Sequence, residues 1–191
     1  MNGTPIPLTL KHSEDGSMQW DWAALRACIT PKTRIFIWND GHNPTGHLAS
    51  HADREEVCRI AAEHNMWVLS DEAYFHMTYD IPSIPSIASF PGMRDRTVIL
   101  ITASKSWAST GWRVGAAVGP RKVIDMFGKL TCNDESMTTN FAQWACIPAF
   151  DGECADDVAH IKEELRKRRD LLHELVNQVP GFSAPLPQSM L

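Results

Sequence analysis

The chain has 191 residues, of which 43% are hydrophobic, 21% are charged and 8% are aromatic. This composition excludes a disordered chain, which lacks the apolar residues for a core, and a bundle of membrane-spanning helices, which carries far less charge. The formal charge of −5 at pH 7 gives no overall attraction to nucleic acid or anionic lipid, although a local basic patch could still bind a small phosphate.

The cysteines and the N-terminal run favour a reducing, cytoplasmic location. Five cysteines are an odd number and none belongs to a C-x-x-C pair, so we expect neither a disulfide framework nor a zinc site. The run MNGTPIPLTL has no basic stretch followed by a long apolar one, and no segment approaches the ~18 apolar residues of a membrane span. We therefore expect no signal peptide and no transmembrane helix.

Short β-rich runs alternate with longer helical ones along the chain. In chain order, the patterns predict a strand at 4–10, a helix at 21–29, a strand at 34–39, a helix at 53–65 with Asp53 as its N-cap and Glu56 three positions on, strands at 67–70, 97–103 and 114–119, and helices at 120–130, 140–150 and 156–177. This alternation is typical of a three-layer α/β/α sandwich with a mostly parallel sheet. Functional residues of such sheets lie at the carboxyl ends of the strands.

Two of the predicted strands end in short polar segments. In NDGHNPTG, residues 39–46, a proline and a glycine flank Thr45 and specify a tight turn that fixes the amide of Asn43. In SDEAY, residues 70–74, Asp71 ends a buried strand, where an acid needs a cation or a donor, and Tyr74 could face the same cavity. The same residues also suit an ordinary strand-to-helix loop and a helix N-cap.

A third segment, ITASKSWASTGWRVG at 101–115, carries a lysine and an arginine after an apolar strand. Lys105 has the small hydroxyl residues Thr102 and Ser104 close by, and a lysine amine near apolar surface can form Schiff bases. Arg113 precedes a Gly-rich strand, and its planar guanidinium suits a phosphate. Taken singly, each residue is better explained as a solvated lysine or a surface arginine.

Occurring together and in this order, these segments resemble a known family. NPTG at 43–46, DEAY at 71–74 and SKSWASTGWRVG at 104–115 look like the signature of the class I aminotransferases, fold-type-I enzymes that use pyridoxal 5′-phosphate. The separations of 28 residues from Asn43 to Asp71 and 34 from Asp71 to Lys105 also resemble that family. NFAQWA at 140–145 and RKRRDLL at 166–172 strengthen the likeness, and the SKSWASTGWRVG run most resembles the aspartate/prephenate branch.

The resemblance implies a role for each residue. Lys105 would bind the cofactor as a Schiff base and then move the substrate α-proton. Asp71 would pair with the pyridine nitrogen and keep it protonated, which makes the ring an electron sink. The reaction implied is transfer of an amino group between an amino acid and a 2-oxo acid in a ping-pong sequence.

The remaining cofactor contacts are implied in the same way. Asn43 and Tyr74 would both form hydrogen bonds to the 3′-oxygen of the ring. Arg113 would bind the cofactor phosphate, with a hydroxyl from Thr102 or Ser104 as a further donor. Family members are dimers with sites at the subunit boundary, so the resemblance also implies a homodimer for the intact protein.

The likeness covers the middle of a typical family member. By resemblance, residues 1–155 form part of the cofactor-binding large domain, and residues 156–191 form a long connecting helix and the start of a small domain that is mostly absent. The family's upstream phosphate-cradling turn, its ring-stacking aromatic and its downstream carboxylate-binding arginine are not found, and NDGHNPTG replaces the usual NPxNPTG. We therefore expect a fragment that binds the cofactor poorly alone.

Three alternatives remain at this stage. Fold-type-I relatives that act as C–S lyases share the lysine, aspartate, tyrosine and arginine, and would release a thiol or ammonia instead of a keto acid. A non-enzymatic paralogue could use the fold as an interaction module. His42, His47 and His51 could form a metal site, but Pro44 and Gly46 interrupt the helix that would align them.

Overall fold

The structure is a computed structural model that describes residues 3–13 and 17–190. Its strands are β1 Leu10–His12, β2 Met18–Trp20, β3 Ile35–Asn39, β4 Trp67–Asp71, β5 Thr97–Thr102 and β6 Gly115–Val118. Its α-helices are α1 Trp22–Cys28, α2 His51–Glu63, α3 Arg121–Asp134, α4 Asn140–Phe150 and α5 Ala155–Asn177. Short 3₁₀ turns lie at Ile87–Ser89 and Thr110–Trp112.

A four-stranded sheet in the order β3-β4-β5-β6 forms the centre of the molecule. β3, β4 and β5 run parallel, whereas β6 runs antiparallel to β5. The parallel pairs are joined by crossovers that contain α2 or the long 72–96 segment, while the 103–114 loop joins β5 to β6 and reverses the chain. The α/β class and the mostly parallel sheet are confirmed.

One face of the sheet is packed against α1 and α2. Phe36 and Trp38 from β3 and Val68 from β4 form a single apolar cluster with Val57 and Ile60 from α2. Val57, Ile60 and Val68 are completely buried, and burying side chains of this size contributes about 1.5–3 kcal/mol each. This packing holds the carboxyl ends of β3 and β4 in a fixed position.

The opposite face of β3 is open. Ile35 and Ile37 alternate with the buried Phe36 and Trp38 and are 59% and 70% exposed. Phe141 and Trp144 on α4 are also exposed, as is Leu130 on α3. The accessible surface is 12348 Å², whereas a compact monomer of 21.4 kDa exposes about 9,100 Å². The sandwich is therefore incomplete in this chain, as the sequence predicted.

Most predicted elements are confirmed to within a few residues, and two details are wrong. Residues 4–10 are not a strand; the strand begins at Leu10 and pairs with the unpredicted β2 as an antiparallel hairpin. The N-cap of α2 is Ser50 and not Asp53. Ser50 Oγ accepts a hydrogen bond from Asp53 N (3.1 Å), and the Asp53 carboxylate accepts one from Ser50 N (2.9 Å). The two residues thus form a capping box in which Asp53 occupies position N3.

All five cysteines are free thiols. Within residues 3–13 and 17–190, none of the helices combines the length and the apolar character needed to cross a bilayer.

Candidate active site

The three polar segments meet at one edge of the sheet. Because β3, β4 and β5 are parallel, their carboxyl ends lie side by side, and the loops that follow them carry Asn43, Tyr74 and Lys105. Asn39 and Asp71 are register partners, and Asp71 is partnered with Leu100, two residues before Thr102. Since side chains alternate between faces, Asn39, Asp71 and Thr102 share one face at this edge.

Asn43 and Tyr74 are brought together by their two loops. The Asn43 side chain donates a hydrogen bond from Nδ2 to the Tyr74 hydroxyl at 3.4 Å. Asn43 N also donates to Asn39 Oδ1 at 2.9 Å, so the turn is tied back to its own strand. Tyr74 is buried, with 5% exposure, whereas Asn43 is exposed. The phenol and the amide thus form one pair of polar groups in the loops that follow β3 and β4.

Lys105 lies over the ring of Tyr74. Its Nζ is 5.6 Å from the ring centroid, a distance at which an ammonium is attracted to the aromatic face. The lysine is half-buried and makes no ion pair with a carboxylate in the described part of the chain. Its amine is therefore placed at the sheet edge without a competing structural partner.

Asp71 is half-buried at the end of β4. Its Oδ1 accepts a hydrogen bond from Ala73 N at 3.1 Å, and its backbone carbonyl accepts one from Asn39 Nδ2 at 3.3 Å. Among the residues that the structure describes, no other hydrogen bond occupies this carboxylate. One carboxylate oxygen is thus available to a ligand.

The loop from Lys105 to Arg113 closes on the end of β5. Ala103 N donates to Val114 O at 3.0 Å. The Thr102 hydroxyl lies 3.2 Å from Val114 O and 3.0 Å from Ser104 Oγ, and it accepts a hydrogen bond from Ser104 N at 3.1 Å. With Thr102 Oγ1 donating to Ser104 Oγ, the Ser104 hydroxyl keeps its own proton for another acceptor.

Arg113 makes no hydrogen bond to another predicted site residue among the residues that the structure describes, and the Asp71 side chain bonds only to Ala73 N. Arg113 is exposed, its φ of 55° lies in the left-handed region, and its Nη1 donates to Thr110 O at 2.9 Å. Left-handed backbone at a non-glycine residue costs of order 1–3 kcal/mol. The guanidinium is folded back on its own loop.

Glu72 is a buried acid that the sequence analysis did not single out. Its Oε1 accepts hydrogen bonds from Ser70 Oγ (3.0 Å) and Ser86 Oγ (2.6 Å). Burial raises the pKa of the Glu72 carboxyl, against the opposing effect of the two hydroxyl donors. Its position next to Asp71 in the sequence was the available signal. The Glu72 carboxylate contacts Ser70, whose side chain lies on the face of β4 opposite to that of Asp71.

Asp40 and Arg54 form a second unpredicted group, a buried ion pair behind the NPTG turn. Arg54 Nε donates to Asp40 Oδ2 at 2.7 Å, and both side chains are at least nine-tenths buried. Asp40 Oδ1 accepts hydrogen bonds from Gly41 N (2.9 Å) and Ala49 N (3.1 Å), which join the two ends of the turn. Gly41 has a left-handed φ of 70°, which a proline at this position cannot adopt. The glycine that stands where NPxNPTG has its first proline therefore adopts a backbone conformation that the proline would exclude.

The histidines do not converge on a metal. His42 and His47 pair across the turn as bridge partners, and His42 Nδ1 lies 2.9 Å from Thr45 Oγ1. His51 is the first residue of α2 and lies 3.4 Å from Glu55. Within the described ranges, no three His, Cys, Asp or Glu side chains are grouped closely enough to hold a metal ion. Burial lowers the pKa of both His42 and His47.

Comparison with known proteins decides the family. A family model described as aminotransferase class I and II matches residues 1–191. The chain belongs to this family. An aspartate aminotransferase of Musicola paradisiaca is 34% identical over 186 residues, which are 97% of this chain and 45% of that protein. A probable aspartate/prephenate aminotransferase of Rhizobium leguminosarum bv. phaseoli is 35% identical over 87% of this chain and 42% of its own length.

Solved aminotransferase structures share the fold. The aromatic aminotransferase of Pyrococcus horikoshii OT3 superposes with a TM-score of 0.86 at 32% identity, over 93% of this chain and 48% of that one. The N-succinyldiaminopimelate aminotransferase of Mycobacterium tuberculosis gives 0.83 at 33% identity, over 90% and 44%. This class I/II aminotransferase chain thus spans less than half the length of these relatives, and the fold-type-I expectation is confirmed for the part it covers.

Proposed function

We propose that this chain carries the cofactor-binding part of a pyridoxal-phosphate-dependent aminotransferase, which transfers an amino group between an amino acid and a 2-oxo acid. The observation that carries the proposal is the position of the Lys105 amine over the ring of Tyr74. The Tyr74 hydroxyl in turn accepts a hydrogen bond from Asn43. Asp71 adds a carboxylate at the same sheet edge. The aminotransferase names of the relatives favour transamination over C–S bond cleavage.

The donor set matches the functional groups of pyridoxal 5′-phosphate. The cofactor has an aldehyde, a pyridine nitrogen, a phenolic oxygen and a phosphate. The chain offers an amine on Lys105, a carboxylate on Asp71, and an amide and a phenol on Asn43 and Tyr74. Arg113 offers a guanidinium, which suits a dianion. Each group of the cofactor therefore has a chemically suited partner.

The roles follow from side-chain chemistry. When bound, the cofactor supplies an electron sink for the negative charge that develops at the substrate α-carbon. Lys105 Nζ binds the cofactor and serves as the base that moves the α-proton. Asp71 holds a proton at the pyridine nitrogen, because a carboxylate stabilises a cationic partner. Asn43 and Tyr74 orient the ring through hydrogen bonds to its phenolic oxygen.

The phosphate contact is assigned to Arg113 and Ser104. The Ser104 hydroxyl is favoured over Thr102, since Thr102 has Val114 O within 3.2 Å as an acceptor. Arg113 must release Thr110 O before its fork can face a phosphate. This need to rearrange, together with the exposure of Arg113, supports weak binding of the cofactor by the chain alone.

The remaining features of the proposal concern the intact enzyme. We assign residues 1–155 to the cofactor-binding large domain and residues 156–191 to the connecting helix and the start of the small domain. The exposed apolar side chains of α3 and α4 support a homodimer, because exposed patches of this kind mark protein contacts. The free cysteines support a cytoplasmic location.

Reductive trapping tests the proposal. The 191-residue chain is mixed with excess pyridoxal 5′-phosphate, reduced with borohydride and mapped by peptide mass spectrometry. We expect the label on the peptide that contains Lys105, with that label lost in Lys105→Ala. Lys162→Ala is the matched control, since Lys162 is a half-buried lysine outside the site. Labelling spread evenly over the lysines, or absent from Lys105, would refute the proposed function.

A further inference from the structure

A segment near the C-terminus lies between the two loops that carry Asn43 and Tyr74. We call residues 187–190, with the sequence PQSM, the clasp segment. Ser189 is 1% exposed, and Thr78, its bridge partner in the loop after Tyr74, is completely buried. Ser189 is thus an interior residue, flanked by the exposed Gln188 and the half-buried Met190.

On one side, the clasp segment binds the NPTG turn. Gln188 N and Ser189 N both donate to Gly46 O, at 2.9 and 3.0 Å. Leu48 N donates to Gln188 Oε1 at 3.3 Å. The approach is so close that a Cβ at Gly46 would lie 2.8 Å from Pro187 Cβ and 2.9 Å from Ser189 O. Glycine at position 46 is therefore required by the clasp segment as well as by its own left-handed φ of 68°.

On the other side, the clasp segment binds the loop that follows Tyr74. Ser189 Oγ donates to Met77 O at 2.8 Å, and Met190 N donates to the same carbonyl at 3.0 Å. Tyr79 N donates to Gln188 O at 3.2 Å. Ser189 thus contacts the NPTG turn through its backbone and the Tyr74 loop through its side chain.

Arg169 of α5 binds the backbone of the clasp segment at Pro187. Its Nη1 donates to Pro187 O at 3.1 Å, and its guanidinium carbon lies 4.5 Å from the ring centroid of Tyr79. The Arg169 side chain is buried, and Asp170 pairs with it at 2.7 Å. A buried, paired arginine fixes the position of a backbone more firmly than an exposed one.

The hydrogen bond between Asn43 and Tyr74 is too weak to align the two loops by itself. It is 3.4 Å long, and Asn43 is exposed. A hydrogen bond contributes about 0.5–1.5 kcal/mol, whereas ordering one residue's backbone costs about 1–2 kcal/mol. The alignment must come from contacts that are buried, and those made by the clasp segment join these two loops directly.

We propose that Ser189 is a positioning residue that holds the NPTG turn against the Tyr74 loop and so sets the distance between Asn43 and Tyr74. The clasp segment does not touch the reacting groups, and it acts on the site through Gly46 and Met77. Its importance for cofactor binding rests on the proposed function, but its effect on the Asn43–Tyr74 pair does not.

The chain contains only two tyrosines, Tyr74 and Tyr79, which makes the pair directly observable. Protein labelled with ¹³C at tyrosine Cζ gives two resonances, assigned with Tyr74→Phe and Tyr79→Phe, in the cofactor-free chain. Asn43→Ala defines the shift of Tyr74 when its hydrogen bond is lost. We expect Ser189→Ala to move the Tyr74 resonance in the same direction, and to add nothing further in the Asn43→Ala background.

Ser89→Ala is the matched control, since its hydroxyl also donates to a backbone carbonyl, Ser86 O, but away from the clasp segment. It should leave the Tyr74 resonance in place. If Ser189→Ala does not fold, Arg169→Lys tests the proposal instead. This substitution weakens the hydrogen bond to Pro187 O without changing a residue of the clasp segment. If Ser189→Ala folds, or Arg169→Lys in its place, and the Tyr74 resonance does not move, the proposal is overturned.

A titration with pyridoxal 5′-phosphate then separates the two proposals. In Ser189→Ala the apparent Kd should rise about three- to tenfold, the equivalent of one lost hydrogen bond. If Tyr74 moves but the wild-type chain shows no labelling of Lys105, the positioning role stands and the proposed function fails. If the wild-type chain binds and Ser189→Ala binds equally well, the consequence for the cofactor is refuted.

Discussion

Asn39 and Asp71 face each other across two parallel strands, and Asn39 joins this strand end to the turn beyond it. Asn39 Nδ2 donates to Asp71 O at 3.3 Å, while Asn39 Oδ1 accepts from Asn43 N at 2.9 Å. A single amide therefore uses both of its ends to couple the carboxylate strand to the turn of Asn43. No aliphatic side chain can replace it, since both a donor and an acceptor are needed.

Substitution of Asn39 should lower stability and disturb the site. Asn39→Ala removes two hydrogen bonds from a half-buried residue, and we expect a loss of about 1–3 kcal/mol in the free energy of unfolding. Urea unfolding measures it. Asn133→Ala is the control, because Asn133 makes one exposed side-chain hydrogen bond, to Lys129 O, and should change stability by less than about 0.5 kcal/mol. Equal effects at the two positions would contradict the coupling role.

The charge of Asp71 should matter for the ligand and not for the fold. Asp71→Asn keeps an oxygen that can accept from Ala73 N, so we expect stability within about 0.5 kcal/mol of wild type. Reductive labelling of Lys105 should fall, because the neutral amide no longer stabilises a protonated pyridine. Asp95→Asn, at an exposed acid, is the control. Undiminished labelling in Asp71→Asn would remove Asp71 from the cofactor site.

The Asp40–Arg54 pair should be strongly sensitive to the loss of one partner. Arg54→Met leaves the Asp40 carboxylate buried without its cation, and we expect destabilisation of about 3–5 kcal/mol. Arg121→Met provides the comparison, since Arg121 and Asp125 form an exposed pair at 3.6 Å whose loss costs about 0–1 kcal/mol. Chemical denaturation of both variants gives the difference. A small effect of Arg54→Met would mean that the turn does not depend on this pair.

Glu72 predicts a particular pH dependence of stability. Burial raises the pKa of its carboxyl above the ordinary 4.5, so the folded state holds this proton more tightly than the unfolded chain does. The resulting stability is fully present below pH 4.5 and is lost as the pH rises through the folded pKa. Glu72→Gln has no proton to lose, and its Oε1 can still accept from Ser70 and Ser86. Its stability relative to wild type should therefore increase from pH 4.5 upward.

The measurement for Glu72 is the free energy of unfolding of both proteins at a series of pH values. Glu153→Gln makes the same substitution at an exposed glutamate and is the control. A difference between Glu72→Gln and wild type that does not change with pH would show that the carboxyl titrates alike in the folded and unfolded states.

Local patterns were sufficient for most of the fold. The spacing of apolar residues in α5 and the β-rich run that contains Phe36 and Trp38 predicted a helix and a buried strand. Both elements are present, but β3 is buried on one face only, since its alternate residues Ile35 and Ile37 are exposed. These patterns succeed because each reflects burial of one face, a property of consecutive residues. The N-cap of α2 was misplaced because Ser50 and Asp53 both suit a cap, and the choice depends on which backbone N–H each side chain reaches.

The sequence by itself determined the family, the order of elements and the identity of the chemical groups, because motifs and periodicity are local properties of the chain. Only the tertiary structure decided which groups support them: the amide of Asn39, the buried ion pair of Asp40 and Arg54, and the clasp segment around Ser189. Ser189 is 143 residues from Gly46 along the chain. Contacts over such separations are set by how the layers pack, and no local pattern encodes them.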